Sequence, residues 1–478
     1  MTYPGAEHDA KWLSHVAPTD YTNPEPEALY HLVVIGAGTA GLISAIGAAG
    51  LGAKVALVER HRMGGDCLNV GCVPSKALLA YTDRTENPQF DEAFAWLRGV
   101  RADIAPHDSV ARYSELGVDV FLGDARFSSR DSVTVGETVL RGRRFAICTG
   151  AAASVPPIPG LAESLPLTND NVFDLTERPQ VLGILGAGAI GCELAQVFAR
   201  LGTRVHLFEM APRVLPLENE RAGQAVADAL IDAGVTLHLG NPVERVDDNV
   251  IEAAGERVPV SRVLVALGRR PNTTGLSLPL AGVELADGGF IRVDEKLRST
   301  NPHIFAAGDC ASPVQFTHHA DAQARVVVQN ALFAPTAKAD GLVVPHCTYT
   351  QPEVASVGLS EAALRETGRA FDRYAVDFAE LDRGKATPGT SGFAEVLTAK
   401  GKDTILGATI VAPDAGELLA PVCLLMRNGL GLAAAGKSIF SYPTRAEFLK
   451  RLANDYNRTR LTPVAGKAFA RWFRFTGD

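Results

Sequence analysis

Leu32-Val33-Val34-Ile35-Gly36-Ala37-Gly38-Thr39-Ala40-Gly41 runs from a short apolar strand into a glycine-rich turn, and an Ala/Leu/Ile-rich helical stretch follows. A second strand, Lys54-Val55-Ala56-Leu57-Val58, ends at Glu59. This is the strand-turn-helix-strand pattern of a dinucleotide fold: the glycines let the backbone approach a pyrophosphate at the helix N-terminus, and the acid receives a ribose diol. The pattern returns at Val181-Leu182-Gly183-Ile184-Leu185, Gly186-Ala187-Gly188-Ala189-Ile190-Gly191 and Val205-His206-Leu207-Phe208, ending at Glu209. Glu59 and Glu209 stand at the same offset from the first glycine of their copies. One such turn is weak evidence, whereas two copies with strand, helix and acid in register predict two nucleotide sites.

Around this repeat, 478 residues leave room for roughly three domains of ~150 residues. With 46% hydrophobic and 21% charged residues the composition is that of an ordinary globular chain. A net charge of −8 argues against a nucleic-acid surface, and no apolar run reaches the ~18 residues of a membrane span. The stretch Met1 to Glu27 is polar, proline-punctuated and without an apolar core, so it is expected to be a loosely ordered extension rather than a secretory leader, and the protein to be cytoplasmic.

Gly64-Gly65-Asp66-Cys67-Leu68-Asn69-Val70-Gly71-Cys72-Val73-Pro74-Ser75-Lys76 carries two cysteines ahead of a helical run. Pro74 suits a first helical turn, so Cys72 is expected at a helix N-terminus. The helix dipole and Lys76 would lower its thiol pKa and favour a redox-active pair. A structural disulfide or a zinc site fits less well, because a reducing cytosol disfavours the first and the other cysteines (148, 192, 310, 347 and 423) are scattered. Two nucleotide sites with this pair between them suggest electrons passing from a nicotinamide through a flavin to sulfur. The copy beside the cysteines should hold the flavin, and Glu209 at the other should favour NADH over NADPH.

These residues resemble the class I pyridine nucleotide-disulfide oxidoreductases, among them dihydrolipoamide dehydrogenase, glutathione reductase and mercuric reductase. The resemblance extends through Ile147-Cys148-Thr149-Gly150, Val265-Ala266-Leu267-Gly268-Arg269-Arg270-Pro271-Asn272, Ile304-Phe305-Ala306-Ala307-Gly308-Asp309 and Cys347-Thr348-Tyr349-Thr350-Gln351-Pro352-Glu353. It implies an α/β chain with two Rossmann-like dinucleotide-binding domains, for FAD and NAD, and a C-terminal α+β dimerisation domain. After an N-terminal extension over 1–28, the FAD domain would cover 29–158 and 281–343, the NAD domain 159–280 and the interface domain 344–478. By the same resemblance Gly36, Gly38, Thr39, Ala40, Gly41, Glu59, Arg60, Gly65, Asp66, Lys76, Ala125, Thr149, Gly150, Asp309, Thr317 and His318 would hold FAD. Gly186, Gly188, Ala189, Ile190, Gly191, Glu209 and Gly268 would hold NADH. Cys67 would be the thiol that attacks substrate, Cys72 the one beside the flavin, and Lys76 would pair with Glu193. No resident metal site is implied.

The chain departs from the family near its end. A His-Pro-Thr-x-x-Glu run, which reaches across the dimer as acid/base in dihydrolipoamide and glutathione reductases, is here Tyr442-Pro443-Thr444-Arg445-Ala446-Glu447. A phenol, with an ordinary pKa of ~10, is a poor base at neutral pH. Mercuric reductase resembles the chain better at this point, although a vicinal cysteine pair at the end and a Cys-x-x-Cys domain at the start are missing. The reading is a homodimeric, NADH-dependent flavoprotein passing electrons through Cys67 and Cys72 to a thiol-bound metal ion such as Hg(II), or to an unidentified disulfide. A dihydrolipoamide dehydrogenase and a slow redox sensor are the alternatives. The basic and aromatic run Lys467 to Phe475 is expected to pack on its own domain or on a dimer partner, with contact to a membrane surface the other reading.

Overall fold

The computed structural model describes residues 3–387 and 391–477. Leu32–Ile35 and Val55–Glu59 are buried along their whole length, as strands covered on both faces must be. They lie in a five-stranded parallel sheet, in the order Ile304–Ala306, Phe145–Ile147, Leu32–Ile35, Val55–Glu59 and Val118–Leu122. The second repeat builds a four-stranded parallel sheet in the order Thr236–Leu239, Arg204–Glu209, Val181–Leu185 and Arg262–Val265. Ser132–Val135 and Thr138–Arg141 form an antiparallel hairpin closed by Gly136-Glu137.

The chain divides into two compact units. One holds the residues up to Met210 together with Ala233–Leu342, and the other holds Ala211–Asp232 and everything from Val343 on. The second is built on a five-stranded antiparallel sheet, in the order Pro345–Thr348, Glu353–Gly358, Ile405–Ala412, Phe393–Ala399 and Phe371–Asp377. Phe448, Leu449, Leu452 and Tyr456 of the helix Glu447–Thr459 join its core, which is the α+β arrangement expected for this part.

One sequence expectation is corrected, and another is narrowed. The N-terminal stretch is not loosely ordered: Ala6–Val16 is a helix whose Trp12 and Val16 enter the core of the first unit. Two apolar residues at i and i+4 give it a buried side, Asp9 pairs with the buried Arg98 and Arg101, and the polar composition around them conceals this. Of the two places expected for the basic and aromatic run, its own domain is not one, because the helix Pro463–Thr476 buries none of its residues, and the dimer partner remains the other.

Candidate active site

The residues assigned to the first nucleotide follow the carboxyl ends of the parallel strands, where open α/β sheets bind ligands. Gly36 follows Ile35, Glu59 ends its own strand, Ala125 opens the short strand after Leu122, Thr149 and Gly150 follow Ile147, and Asp309 follows Ala306. The turn itself admits only glycine at Gly41, where a Cβ would lie 1.8 Å from the Gly36 carbonyl oxygen. Gly38 caps the helix Thr39–Gly50 with no side-chain hydrogen bond, leaving first-turn donors for a ligand. Glu59 is buried and accepts the Ala37 and His61 N–H groups at 2.8 and 2.7 Å, while Arg60 beside it is exposed. Burial raises the Glu59 pKa against these hydrogen bonds.

The second turn repeats this chemistry. Gly188 caps the helix Ala189–Arg200 without a side-chain partner, and a Cβ at Gly188 would meet nothing within 4 Å. Glu209 accepts the Ala187 N–H at 2.9 Å, matching Glu59 with Ala37. Ile190 stands exposed at the first turn. Gly268 accepts the Ser154 N–H at 2.9 Å where the chain crosses between the two sheets.

The cysteine segment is pressed against the first turn. Gly64 donates to the Ala37 carbonyl at 2.9 Å, and a Cβ on Gly65 would come within 2.5 Å of the Gly38 Cα. Cys67 lies in the short helix Gly65–Asn69, and Cys72 begins the helix Cys72–Arg84, as the sequence predicts. Both carry free thiols in this structure. Cys72 faces solvent, and its Sγ is 3.4 Å from the Thr317 hydroxyl. Its pKa is lowered to about 6, chiefly by a hydrogen bond from Cys67, with Thr317 and the Lys76 charge helping and the partial loss of water around the sulfur and Glu193 opposing. The Cys67 pKa moves up, because its thiol donates to Cys72 and is partly withdrawn from water. The favoured arrangement is a Cys72 thiolate accepting a hydrogen bond from the Cys67 thiol.

Lys76 Nζ lies 2.8 Å from Glu193 Oε2, so the expected pair forms. Thr317 and His318 open the helix Thr317–Leu332, whose N-cap Phe316 supplies no side-chain bond and whose ring stacks on His318. Asn272 ties Thr149 and Gly150 together, accepting the Thr149 hydroxyl at 2.7 Å through its carbonyl and donating its own N–H to Gly150 at 2.9 Å.

Sequence reasoning passed over Arg269. Its guanidinium pairs with Asp66 next to Cys67, donates to the Ala151 carbonyl, and lies 3.7 Å from Asp309. It thus holds two of the assigned residues, while burial raises the Asp309 pKa against the Arg269 charge. Also missed was the support under the cysteine segment. Asn69 receives the Trp12 indole N–H at 2.8 Å and donates to the Met63 and Gly65 carbonyls, and its own carbonyl accepts from Arg101. Long-range partners of this kind leave no local signature.

In the second unit Tyr442 is 70% exposed, and its hydroxyl donates to Asp382 at 3.0 Å. That bond and the Asp382 charge raise the phenol pKa, and the Glu447 charge adds to the effect. Tyr442, Asp382 and Glu447 are therefore one electrostatic group.

Two nucleotide folds, a polarised cysteine pair and a Lys-Glu bridge between them define a flavoprotein disulfide oxidoreductase. Residues 30–324 match the pyridine nucleotide-disulphide oxidoreductase family and residues 344–453 its dimerisation domain, so the chain belongs to that family. It is 32% identical to mercuric reductase of Bacillus cereus, over 93% of this chain and 74% of that protein. It is 32% identical to mercuric reductase of Streptomyces lividans (89% and 96%) and 33% identical to dihydrolipoyl dehydrogenase of Thermus scotoductus (90% and 98%). Among solved structures it resembles the HOCl-induced flavoprotein disulfide reductase RclA of Escherichia coli, at TM-score 0.82 and 30% identity over 88% of this chain and 99% of that one. The family implies FAD and a pyridine nucleotide, and both glycine turns fit such ligands, with uncapped helix donors and room where side chains would intrude.

Proposed function

We propose that the chain is a homodimeric reductase that takes electrons from NADH and passes them through Cys67 and Cys72 to thiol-bound soft metal ions, Hg(II) among them. FAD, when bound, supplies the two-electron relay between the nicotinamide and sulfur. Gly36, Gly38, Thr39, Ala40 and Gly41 would hold its pyrophosphate, Glu59 and Arg60 its ribose, and Asp309 its ribityl chain. Lys76, Thr317 and His318 would hold its ring, with Gly65, Asp66, Ala125, Thr149 and Gly150 closing the site. Gly186, Gly188, Ala189, Ile190, Gly191 and Gly268 would bind the nicotinamide nucleotide, and Glu209 would repel a 2′-phosphate, favouring NADH.

The observation that carries the choice of acceptor is the Tyr442 phenol, donating to Asp382 and held protonated. A disulfide substrate releases a thiol whose proton must be managed, and a base there is worth roughly 10²–10⁴-fold. A metal held by two thiolates needs ligand exchange instead. Cys67 attacks the metal once it has lost its proton, the Cys72 thiolate follows as the second ligand, and the displaced thiolates leave as thiols. In balance, one NADH and one proton convert a mercuric dithiolate to elemental mercury, two thiols and NAD⁺. The Escherichia coli reductase that this chain resembles was also solved as a Cu(II) complex. Each Cu(II) takes one electron, so one NADH would serve two ions.

A second reading, dihydrolipoamide dehydrogenase, is favoured by the Thermus scotoductus relative, which the chain matches over 98% of that protein's length. Anaerobic NADH consumption with thiol-bound Hg(II), with Cu(II) and with lipoamide, against a Cys67→Ala control, tests both. Metal-dependent turnover lost in the control supports the metal reductase, fast lipoamide turnover supports the dehydrogenase, and turnover with none refutes both and leaves another disulfide as acceptor or a slow redox sensor.

A further inference from the structure

The helix Pro463–Thr476 sorts its side chains by chemistry. At 3.6 residues per turn Phe469, Trp472 and Phe473 fall on one side, Lys467, Arg471 and Arg474 gather on the other, and Val464 and Phe475 lie at the edge beside Arg471. The aromatic side is bare: Trp472 is 60% and Phe473 68% exposed. On a chain of net charge −8, no acid occurs between Asp455 and Asp478, and this stretch also carries Arg458 and Arg460. The helix lies beyond the residues that match the dimerisation domain, which end at 453.

We propose that this helix docks the protein on the surface of an anionic phospholipid bilayer, with its aromatic side at the boundary of headgroups and acyl chains. A Lys/Arg face opposite a Trp/Phe face is the signature of a helix lying in the membrane interface. Trp is suited to that depth because its ring is apolar and its N–H finds water or headgroup oxygens. Charge complementarity decides between occupants. A second copy of the chain could cover the aromatics, but it would leave Lys467, Arg471 and Arg474 facing water on the far side, where they would contribute nothing. A bilayer uses both faces, because the long cationic side chains reach up to the phosphates as the rings go down. The helix is too short to span, and no described helix is long and apolar enough to cross a membrane. This placement does not depend on the electron acceptor proposed above.

The test is co-sedimentation of the full-length, FAD-loaded protein with vesicles of phosphatidylcholine, with and without a quarter of phosphatidylglycerol. Binding should require phosphatidylglycerol, fall by about tenfold or more in about 0.5 M salt, and fall as far in the double variant Trp472→Ser, Phe473→Ser. NADH-driven dye reduction in solution checks that the variant is folded, and sedimentation velocity reports its assembly. No binding to the anionic vesicles overturns the proposal, and so does binding that the variant retains. If the variant instead lowers the oligomeric state, the aromatic side is a contact between copies and the proposal is wrong.

Discussion

The Lys76 ammonium lies 2.8 Å from the Glu193 carboxylate, joining the helix that begins at Cys72 to the helix behind the second glycine turn. The two charges act on Cys72 in opposite senses, Lys76 favouring its thiolate and Glu193 opposing it. Lys76→Met should therefore move the pH of half-ionisation up by about 1, and Glu193→Gln should move it down. Thiolate absorbance of the two-electron-reduced protein, followed against pH, measures both, and shifts of the same sign in the two variants would contradict this account.

Because the first cause of the lowered Cys72 pKa is the hydrogen bond from Cys67, Cys67→Ala should raise the Cys72 midpoint from about 6 toward an ordinary thiol value. A depressed pKa means that the thiolate is present above it and lost below. At pH 7 the wild-type pair should be about nine-tenths ionised at Cys72, and its reaction with iodoacetamide should fall off below pH 6. Mass mapping of the labelled cysteine checks the assignment. Predominant labelling of Cys67 below pH 7 would place the thiolate on Cys67 and contradict its placement on Cys72.

Asp9 holds two buried cations, Arg98 at 3.2 Å and Arg101 at 2.7 Å, and Arg101 reaches Asp174 as well. Removing the shared carboxylate strands charge in the core, which costs about 3 kcal/mol. Asp9→Ala should release the N-terminal helix, red-shift the Trp12 emission and open the chain to proteolysis near residue 17. Trp12 donates to Asn69, so the release should also loosen the cysteine segment.

What could be read in advance follows from how local each constraint is. The glycine turns were legible because Gly36, at φ +100°, and Gly41, against the Gly36 carbonyl, exclude a side chain, so chain geometry prints itself on composition. Cys72 at a helix start was legible through Pro74. The Lys76–Glu193 bridge came only through family resemblance, and Arg269, clamping Asp66 from 203 positions away, did not come at all. Arg98 and Arg101 look like surface residues until Asp9 is folded over them. Each of these depends on tertiary contact, which spacing along the chain does not record.

The repeat allows the two nucleotide sites to be separated. At Gly191 a Cβ would stand 1.9 Å from the Gly186 carbonyl oxygen, so Gly191→Ala must open the second turn. The first turn and its Gly41 are untouched by this change. The variant should keep its yellow colour and flavin content yet lose reduction by NADH by about 10²-fold or more, while dithionite still reduces it. Loss of the flavin on purification would mean that the two folds are not independent.

Tyr442 offers the sharpest separation of acceptors. Its phenol donates to Asp382, and Glu447 adds a second negative charge nearby. An imidazole in the same place would be held by the same two carboxylates, which favour its protonated form and place its pKa within the working pH range. Tyr442→His should therefore raise lipoamide turnover, by up to about 10²-fold if proton transfer is what wild type lacks. Tyr442→Phe, which removes the hydroxyl and leaves both carboxylates, should leave lipoamide turnover low and weaken metal turnover only if the phenol touches the ion. Steady-state rates of the three proteins with lipoamide and with thiol-bound Hg(II) decide the matter. Equal lipoamide rates in wild type and Tyr442→His would show that the missing base does not set the substrate.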